Sequence, residues 1–214
     1  MSLTIAFDLD GTLIDSVPHI HHSVASALAE MDLPGIERDT TQGFVGRGLP
    51  ILLERVLDHI GAPQDHHAEL TRRTMHYYVN TPSDPASVYP GAQEALTTLQ
   101  AAGHRLTLCT NKPYEATLSA LRDTGLAPFF EIVIGGDSLP TRKPDPAMLH
   151  AALAGASRAL FVGDSETDVR TAQNAGIPFL LFTEGYRKTP VGDLPHAARF
   201  AHHANLPALV ADLA

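Results

Sequence analysis

The chain has 214 residues, of which 44% are hydrophobic and 18% charged, a composition typical of a globular protein. Its net charge of −9 argues against a nucleic-acid partner, because binding to a phosphate backbone requires a surplus of Lys and Arg. The lone cysteine, Cys109, excludes an internal disulfide, and no apolar run is long enough to span a membrane, so we expect a cytoplasmic protein with no membrane partner.

Five short apolar runs predict buried strands, at residues 3–7, 105–109, 131–134, 159–162 and 179–182. Each run is continuous rather than alternating, as expected for strands that are covered on both faces. Helical patterns separate the later runs, over 91–102, 114–124, 146–153 and 166–175, and a glycine lies just past the end of each. Strands that alternate with helices of this length predict an α/β fold with a Rossmann-like parallel sheet.

Residues 16–84 interrupt this alternation. They contain no convincing strand, but amphipathic helical patterns over 20–31, 49–60 and 66–79. An ordinary strand–helix–strand crossover needs only about 30 residues, so the longer segment is interpreted as an insertion. The sequence therefore predicts an α/β core domain of residues 1–15 and 85–214, with a small helical cap domain of residues 16–84 inserted after the first strand.

Polar residues follow several predicted strands at the point where each strand ends. Asp8 and Asp10 follow the first, Thr110 the second and Asp164 the fourth, and Lys143 lies between the third and fourth. Ligands of open parallel sheets bind beyond the carboxyl ends of the strands, so these side chains are expected to meet at one edge.

This combination suits phosphoryl transfer. One carboxylate of the pair Asp8 and Asp10 can attack phosphorus while the other handles the proton. A hard divalent cation such as Mg²⁺ would relieve the repulsion between carboxylate and phosphate, with Asp8 and Asp164 as its natural carboxylate ligands. Thr110 can donate a hydrogen bond to a phosphoryl oxygen, and Lys143 can neutralise the charge on the transferred group.

The motifs resemble, in order, those of the haloacid-dehalogenase-like hydrolase superfamily. They are Asp8-Leu9-Asp10-Gly11-Thr12, Thr110-Asn111, Lys143-Pro144 and Gly163-Asp164-Ser165-Glu166-Thr167-Asp168. The resemblance implies that Asp8 is the nucleophile and Asp10 the general acid/base, that Thr110 and Lys143 stabilise the phosphoryl group, and that Asn111 binds substrate. It further implies that Mg²⁺ is held by the Asp8 side chain, the Asp10 main-chain oxygen and Asp164, with Asp168 as a supporting acid.

Within the superfamily the chain is most similar to bacterial phosphoglycolate phosphatases. The similarity lies in Asp15-Ser16-Val17-Pro18, Val45-Gly46-Arg47-Gly48-Leu49, Thr110-Asn111-Lys112-Pro113 and Ile134-Gly135-Gly136-Asp137. It implies hydrolysis of a small phosphorylated metabolite, 2-phosphoglycolate, by a monomer or homodimer. Arg47, in a glycine-rich loop of the predicted cap, is a candidate clamp for a substrate carboxylate. A plain turn with Arg47 in solvent is nearly as good an interpretation.

The motifs bear on several alternative functions. The presence of Asp10 argues against a dehalogenase, and the absence of lysine from the predicted cap argues against a phosphonate-cleaving enzyme. A pyrophosphatase, phosphosugar phosphatase or phosphosugar mutase with the same core remains open. So does a different class, a non-catalytic phosphate-binding or signalling module. The clustered histidines (19, 21 and 22; 66 and 67; 202 and 203) are interpreted as solvated surface residues, with no metal assigned to them.

Overall fold

The structure is a computed structural model and describes residues 2–213. Six parallel strands form one sheet in the order β3-β2-β1-β4-β5-β6. The strands are β1 Thr4–Phe7, β2 Arg105–Cys109, β3 Ile132–Ile134, β4 Ala159–Gly163, β5 Phe179–Phe182 and β6 Ala198–Phe200. The predicted parallel α/β fold is confirmed, and the five predicted strands match within one residue at each end. The sixth strand, a three-residue edge strand with an exposed Arg199, was not predicted.

Within residues 2–213, five α-helices lie between β1 and β2, and four follow β2. The first five are α1 Val17–Glu30, α2 Arg38–Gln42, α3 Leu49–Ile60, α4 His67–Asn80 and α5 Ala92–Ala101. The others are α6 Tyr114–Asp123, α7 Ala147–Leu153, α8 Glu166–Ala175 and α9 Leu206–Leu213. The short α2 and the last helix, α9, were not predicted. No described helix is long and apolar enough to cross a bilayer.

Three apolar clusters stabilise this arrangement. Successive residues of β1 point to opposite faces of the sheet, so Ile5 and Phe7 pack in one cluster and Ala6 in another. The third cluster joins α1, α3 and α4, with Val24, Leu53 and Leu70 fully buried. The separate core of these helices agrees with the predicted insertion, whose boundaries as a domain stay a prediction.

The interpretation of all clustered histidines as solvated is wrong for His203, of which only 1% is exposed. Its Nε2 lies 2.9 Å from the Thr12 carbonyl oxygen, and its ring centroid lies 4.5 Å from that of Phe182. Burial lowers the pKa of His203 to about 4. The residue is therefore part of the core, because the C-terminal segment folds back under the loop that follows β1.

Candidate active site

The loop after β1 places Asp8 and Asp10 at the carboxyl edge of the sheet. The Asp8 amide donates to the Val162 carbonyl at 2.9 Å, which continues the pairing of β1 with β4. Gly11 has φ +84°, a conformation that L side chains rarely adopt, and a Cβ there would lie 2.6 Å from Asp164 Oδ2. A glycine is therefore needed for this loop to approach the end of β4 so closely.

Asp164 follows β4 and is held by two donors. Thr12 Oγ1 donates to its Oδ1 at 2.8 Å, and the Tyr186 amide donates to its Oδ2 at 2.6 Å. The Tyr186 hydroxyl in turn donates to Asp15 Oδ1 at 2.7 Å, just before α1. A side chain at Gly185 would overlap Asp164. The carboxylate is thus fixed by two separate segments of the chain, the loop after β1 and the loop after β5.

Asp8, Asp164 and Asp168 form a buried carboxylate cluster, with one oxygen of each within 4.8 Å of the others. Asp8 Oδ1 is buried and lies 2.9 Å from Lys143 Nζ, its ion-pair partner. Burial raises the pKa of Asp8 to about 7 against the lowering effect of Lys143. Burial, together with Asp168 and Asp8, raises the pKa of Asp164 well above its usual range.

Three carboxylates and one lysine in a buried site leave an excess of negative charge. Each carboxylate pair at about 4 Å costs roughly 4 kcal/mol of repulsion at intermediate dielectric. An oxygen-only donor set with this charge fits a hard divalent cation. The cluster therefore suits a divalent metal ion. Asp10 contributes no side-chain oxygen to the cluster, so its predicted part in metal binding rests on its main-chain oxygen alone.

Lys143 lies between two of these acids. Its Nζ is 2.9 Å from Asp8 Oδ1 and 2.7 Å from Asp168 Oδ1, and its side chain is 1% exposed. Burial by itself lowers the pKa of Lys143, but Asp168 and Asp8 outweigh it and raise the pKa. Asp168 Oδ2 accepts from both the amide and the hydroxyl of Ser165, at 3.1 and 2.6 Å. With both oxygens engaged, Asp168 holds Lys143 in place, and its supporting role near a metal stays a prediction.

The two residues predicted after β2 occupy different positions. Thr110 is buried and lines the cavity beside Asp8. The Asn111 amide group instead holds the backbone of Lys143, donating to its carbonyl and accepting from its N–H, each at 3.0 Å, and also donates to the Gly46 carbonyl. Its direct contact with substrate stays a prediction, whereas its observed contacts position Lys143.

Asp10 has a different lysine partner. Lys112 Nζ lies 3.1 Å from Asp10 Oδ1 and also donates to the hydroxyl of Tyr78 on α4. Neither contact was predicted. Lys112 lies in the segment Thr110-Asn111-Lys112-Pro113 directly after β2, so its position in the sequence could have indicated a place in the site. The sequence around Tyr78 offers no such indication, since its approach depends on how α4 packs against the sheet.

A cavity of about 280 Å³ opens between the carboxyl edge of the sheet and the inserted helices. Asp8, Asp10, Thr110 and Asp164 line one side. The opposite side includes Arg47, which is exposed in the loop before α3, and Leu52, Arg55 and Tyr78. Arg55, one turn beyond Leu52 on α3, was not predicted either. The cavity therefore combines an acidic floor with cationic side chains on the opposite wall.

A parallel sheet with buried acids and lysines at its carboxyl edge, facing a cavity, places the chain in the class of α/β enzymes. The sequence model of the haloacid dehalogenase-like hydrolase family matches residues 5–182. The chain belongs to this family, as predicted, and is a hydrolase.

Relatives with similar sequences span nearly the whole chain. A phosphoglycolate phosphatase of Cereibacter sphaeroides is 49% identical over 98% of this chain and 98% of that protein. One of Caulobacter vibrioides is 41% identical over 89% of this chain and 83% of the relative. A solved structure from Haemophilus somnus, described as a predicted phosphoglycolate phosphatase, has a TM-score of 0.89 at 30% identity and 98% coverage of both chains.

Proposed function

We propose that this protein is a phosphatase that hydrolyses a small phosphate monoester, 2-phosphoglycolate, to glycolate and phosphate through a phosphoaspartate on Asp8. The observation that carries the proposal is the position of Asp8. Its buried carboxylate lines a cavity, and its Oδ1 lies 2.9 Å from Lys143 Nζ. A nucleophile requires such an oxygen, close to a cation that neutralises the transferred group.

The reaction proceeds in two displacements. In the first, a bond forms between an Asp8 oxygen and phosphorus, the bond between phosphorus and the ester oxygen breaks, and Asp10 gives its proton to the departing oxygen. In the second, water attacks phosphorus, Asp10 takes a proton from that water, and the bond between Asp8 and phosphorus breaks. Asp10 is thereby restored to its protonated form, and phosphate is released.

Mg²⁺ fits the oxygen donors of the site, with the Asp8 and Asp164 side chains and the Asp10 main-chain oxygen as its proposed protein ligands. When bound, it would neutralise charge shared between the nucleophile and the phosphoryl group. Thr110 and Lys143 would bind the phosphoryl oxygens, and Asp168 would hold Lys143 in place.

The opposite wall of the cavity supports a substrate with a second anionic group. Arg55 forms no ion pair among the described residues and lines the cavity together with Arg47. Either guanidinium can bind a carboxylate through two parallel hydrogen bonds. The names of the relatives, at up to 49% identity, point to the same substrate. Residues 16–84 would then act as a cap that covers the site and excludes water, and the buried free cysteine suits a reducing cytoplasm.

A panel of phosphate compounds tests the proposal. Release of inorganic phosphate from 2-phosphoglycolate, ethyl phosphate, pyrophosphate and hexose phosphates would be compared by kcat/KM with Mg²⁺ and with chelator. We expect 2-phosphoglycolate to rank first and chelator to abolish turnover. Replacing the nucleophile (Asp8→Asn) should lower kcat on the order of 10³-fold or more, whereas Asp212→Asn, exposed on α9, should leave it unchanged.

Other outcomes identify the alternatives. A higher kcat/KM for pyrophosphate or a sugar phosphate would assign a different substrate to the same chemistry, and conversion of a sugar phosphate without phosphate release would indicate a mutase. Undiminished turnover in Asp8→Asn would overturn the mechanism. No turnover of any compound would favour a phosphate-binding module.

A further inference from the structure

We propose that Lys112 and Tyr78 are positioning residues that orient Asp10 for proton transfer, so that a side chain of helix α4 takes part in setting the geometry of the acid/base. The inference rests on the proposed function, in which Asp10 protonates the leaving oxygen. It adds a dependence of that step on a residue of the inserted helical segment.

The Lys112 ammonium is confined to one position. Its side chain is fully buried, whereas 13% of the Asp10 side chain is exposed. The Lys112 backbone is held on both sides, because its N–H donates to Thr110 Oγ1 at 3.3 Å and its carbonyl accepts from the Gly136 amide at 2.7 Å. The side chain therefore starts from a fixed backbone and ends at Asp10 Oδ1, 3.1 Å away.

Tyr78 fixes the same ammonium from the opposite side. Its hydroxyl accepts a hydrogen bond from Lys112 Nζ, and the centroid of its ring lies 4.0 Å from that atom. Tyr78 is 3% exposed and packs against the ring of His19 on α1, with centroids 5.2 Å apart. The position of the lysine head therefore depends on helices α1 and α4 as well as on the sheet.

This arrangement is better suited to orientation than to stability. A buried ion pair loses much of its attraction to desolvation and often adds little to the free energy of unfolding. It does fix geometry, and here it occupies Oδ1 of Asp10, which leaves Oδ2 to carry the proton. Lys143 likewise pairs with Asp8, so Asp8 and Asp10 each have their own lysine.

The test uses two substrates that differ in their need for a proton. The oxygen leaving p-nitrophenyl phosphate is a stable anion, whereas the oxygen leaving 2-phosphoglycolate is a poor leaving group that requires general acid catalysis. General acid catalysis contributes roughly 10²–10⁴-fold, and mispositioning the acid should remove part of this factor. In Lys112→Met we expect kcat/KM for 2-phosphoglycolate to fall about tenfold or more beyond any fall for p-nitrophenyl phosphate.

Two tyrosine variants keep the test valid if Lys112→Met does not fold. Tyr78→Phe removes only the hydroxyl that holds Lys112 and should shift the ratio of the two kcat/KM values in the same direction by a smaller factor. Tyr77→Phe is the matched control, because it makes the same change on the same helix. The Tyr77 hydroxyl donates to Glu30 Oε1 at 2.6 Å, and Tyr77 does not line the cavity. Its ratio should equal that of the wild type.

The outcomes separate this inference from the proposed function. Equal losses for both substrates in Lys112→Met and Tyr78→Phe, or no change in either, would overturn the inference. If Asp10→Asn shifts the ratio but these variants do not, the role of Asp10 stands and only the inference fails. If Asp10→Asn leaves the ratio unchanged, the assignment of Asp10 fails and the inference fails with it.

Discussion

Asp8 and Asp10, in the loop after β1, are each paired with a lysine from a different part of the chain. Lys143 contacts Asp8, and Lys112 contacts Asp10. Two carboxylates two residues apart would otherwise repel each other and the incoming phosphate. Separate cations allow one acid to act as nucleophile and the other to manage protons, because each has its own electrostatic surroundings.

At the same scale, Arg55 is expected to recognise the non-reacting end of the substrate. It lines the cavity from α3 and forms no ion pair in residues 2–213, so its charge is free for a ligand. In Arg55→Gln, kcat/KM for 2-phosphoglycolate should fall roughly tenfold or more, equivalent to about 1.4 kcal/mol. The value for ethyl phosphate, which lacks the carboxylate, should change little.

The matched control is Arg72→Gln, which removes an exposed guanidinium already paired with Glu69 at 2.6 Å. This variant should resemble the wild type for both substrates. An equal loss of kcat/KM for both substrates in Arg55→Gln would show that this arginine does not recognise the substrate carboxylate. An unchanged profile would assign the carboxylate to another cation of the cavity, such as Arg47.

At the scale of elements, the start of α8 connects helix stability with the site. Ser165 is the N-cap of this helix, and its hydroxyl accepts from the Asp168 amide while donating to the Asp168 carboxylate at 2.6 Å. Such a reciprocal capping arrangement satisfies two backbone donors that a helix start otherwise leaves unpaired. The same carboxylate holds Lys143, so the cap also fixes a charge of the active site.

Replacing this cap (Ser165→Ala) should therefore lower both stability and activity. The free energy of unfolding, measured with urea, should fall by about 1 kcal/mol. Turnover should fall as well, because Asp168 Oδ2 keeps only the Ser165 amide as a donor and orients Lys143 less firmly. Ser165→Thr retains the hydroxyl and should recover most of both losses. Loss of stability with undiminished turnover would disprove the link between the cap and Lys143.

For the whole molecule, the sheet and the motif residues could be predicted because their signals are local. Strands buried on both faces are continuous apolar runs, and Asp8 and Asp164 directly follow such runs. Strand β6 was not predicted from the sequence, because it is short and carries a charged residue at the sheet edge. Arg55 and Tyr78 were not predicted because their approach to the site depends on how the inserted helices pack, which no local pattern encodes.

The C-terminal segment contacts the loop after β1 through His203. Because this histidine is buried, we expect its titration to make the stability of the protein depend on pH. His203 is buried and its Nε2 contacts the Thr12 carbonyl, next to the loop that bears Asp8 and Asp10. Burial lowers its pKa to about 4, whereas an unfolded histidine titrates near 6.5. The unfolded state therefore binds more protons between these values. The stability contributed by neutral His203 is present above about pH 6.5 and is lost as the pH falls toward 4.

Urea unfolding of the wild type and of His203→Gln at pH 8 and pH 5 measures this contribution. The variant should be less stable at pH 8, because it loses packing against Phe182. Glutamine does not titrate, so the difference in free energy of unfolding between the two proteins should be about 2 kcal/mol smaller at pH 5 than at pH 8. Other titrating groups are common to both proteins and cancel in the difference. His202→Gln, at the exposed neighbouring position, should keep the wild-type slope. A difference that stays constant with pH would mean that His203 titrates normally in the folded protein, in conflict with its burial.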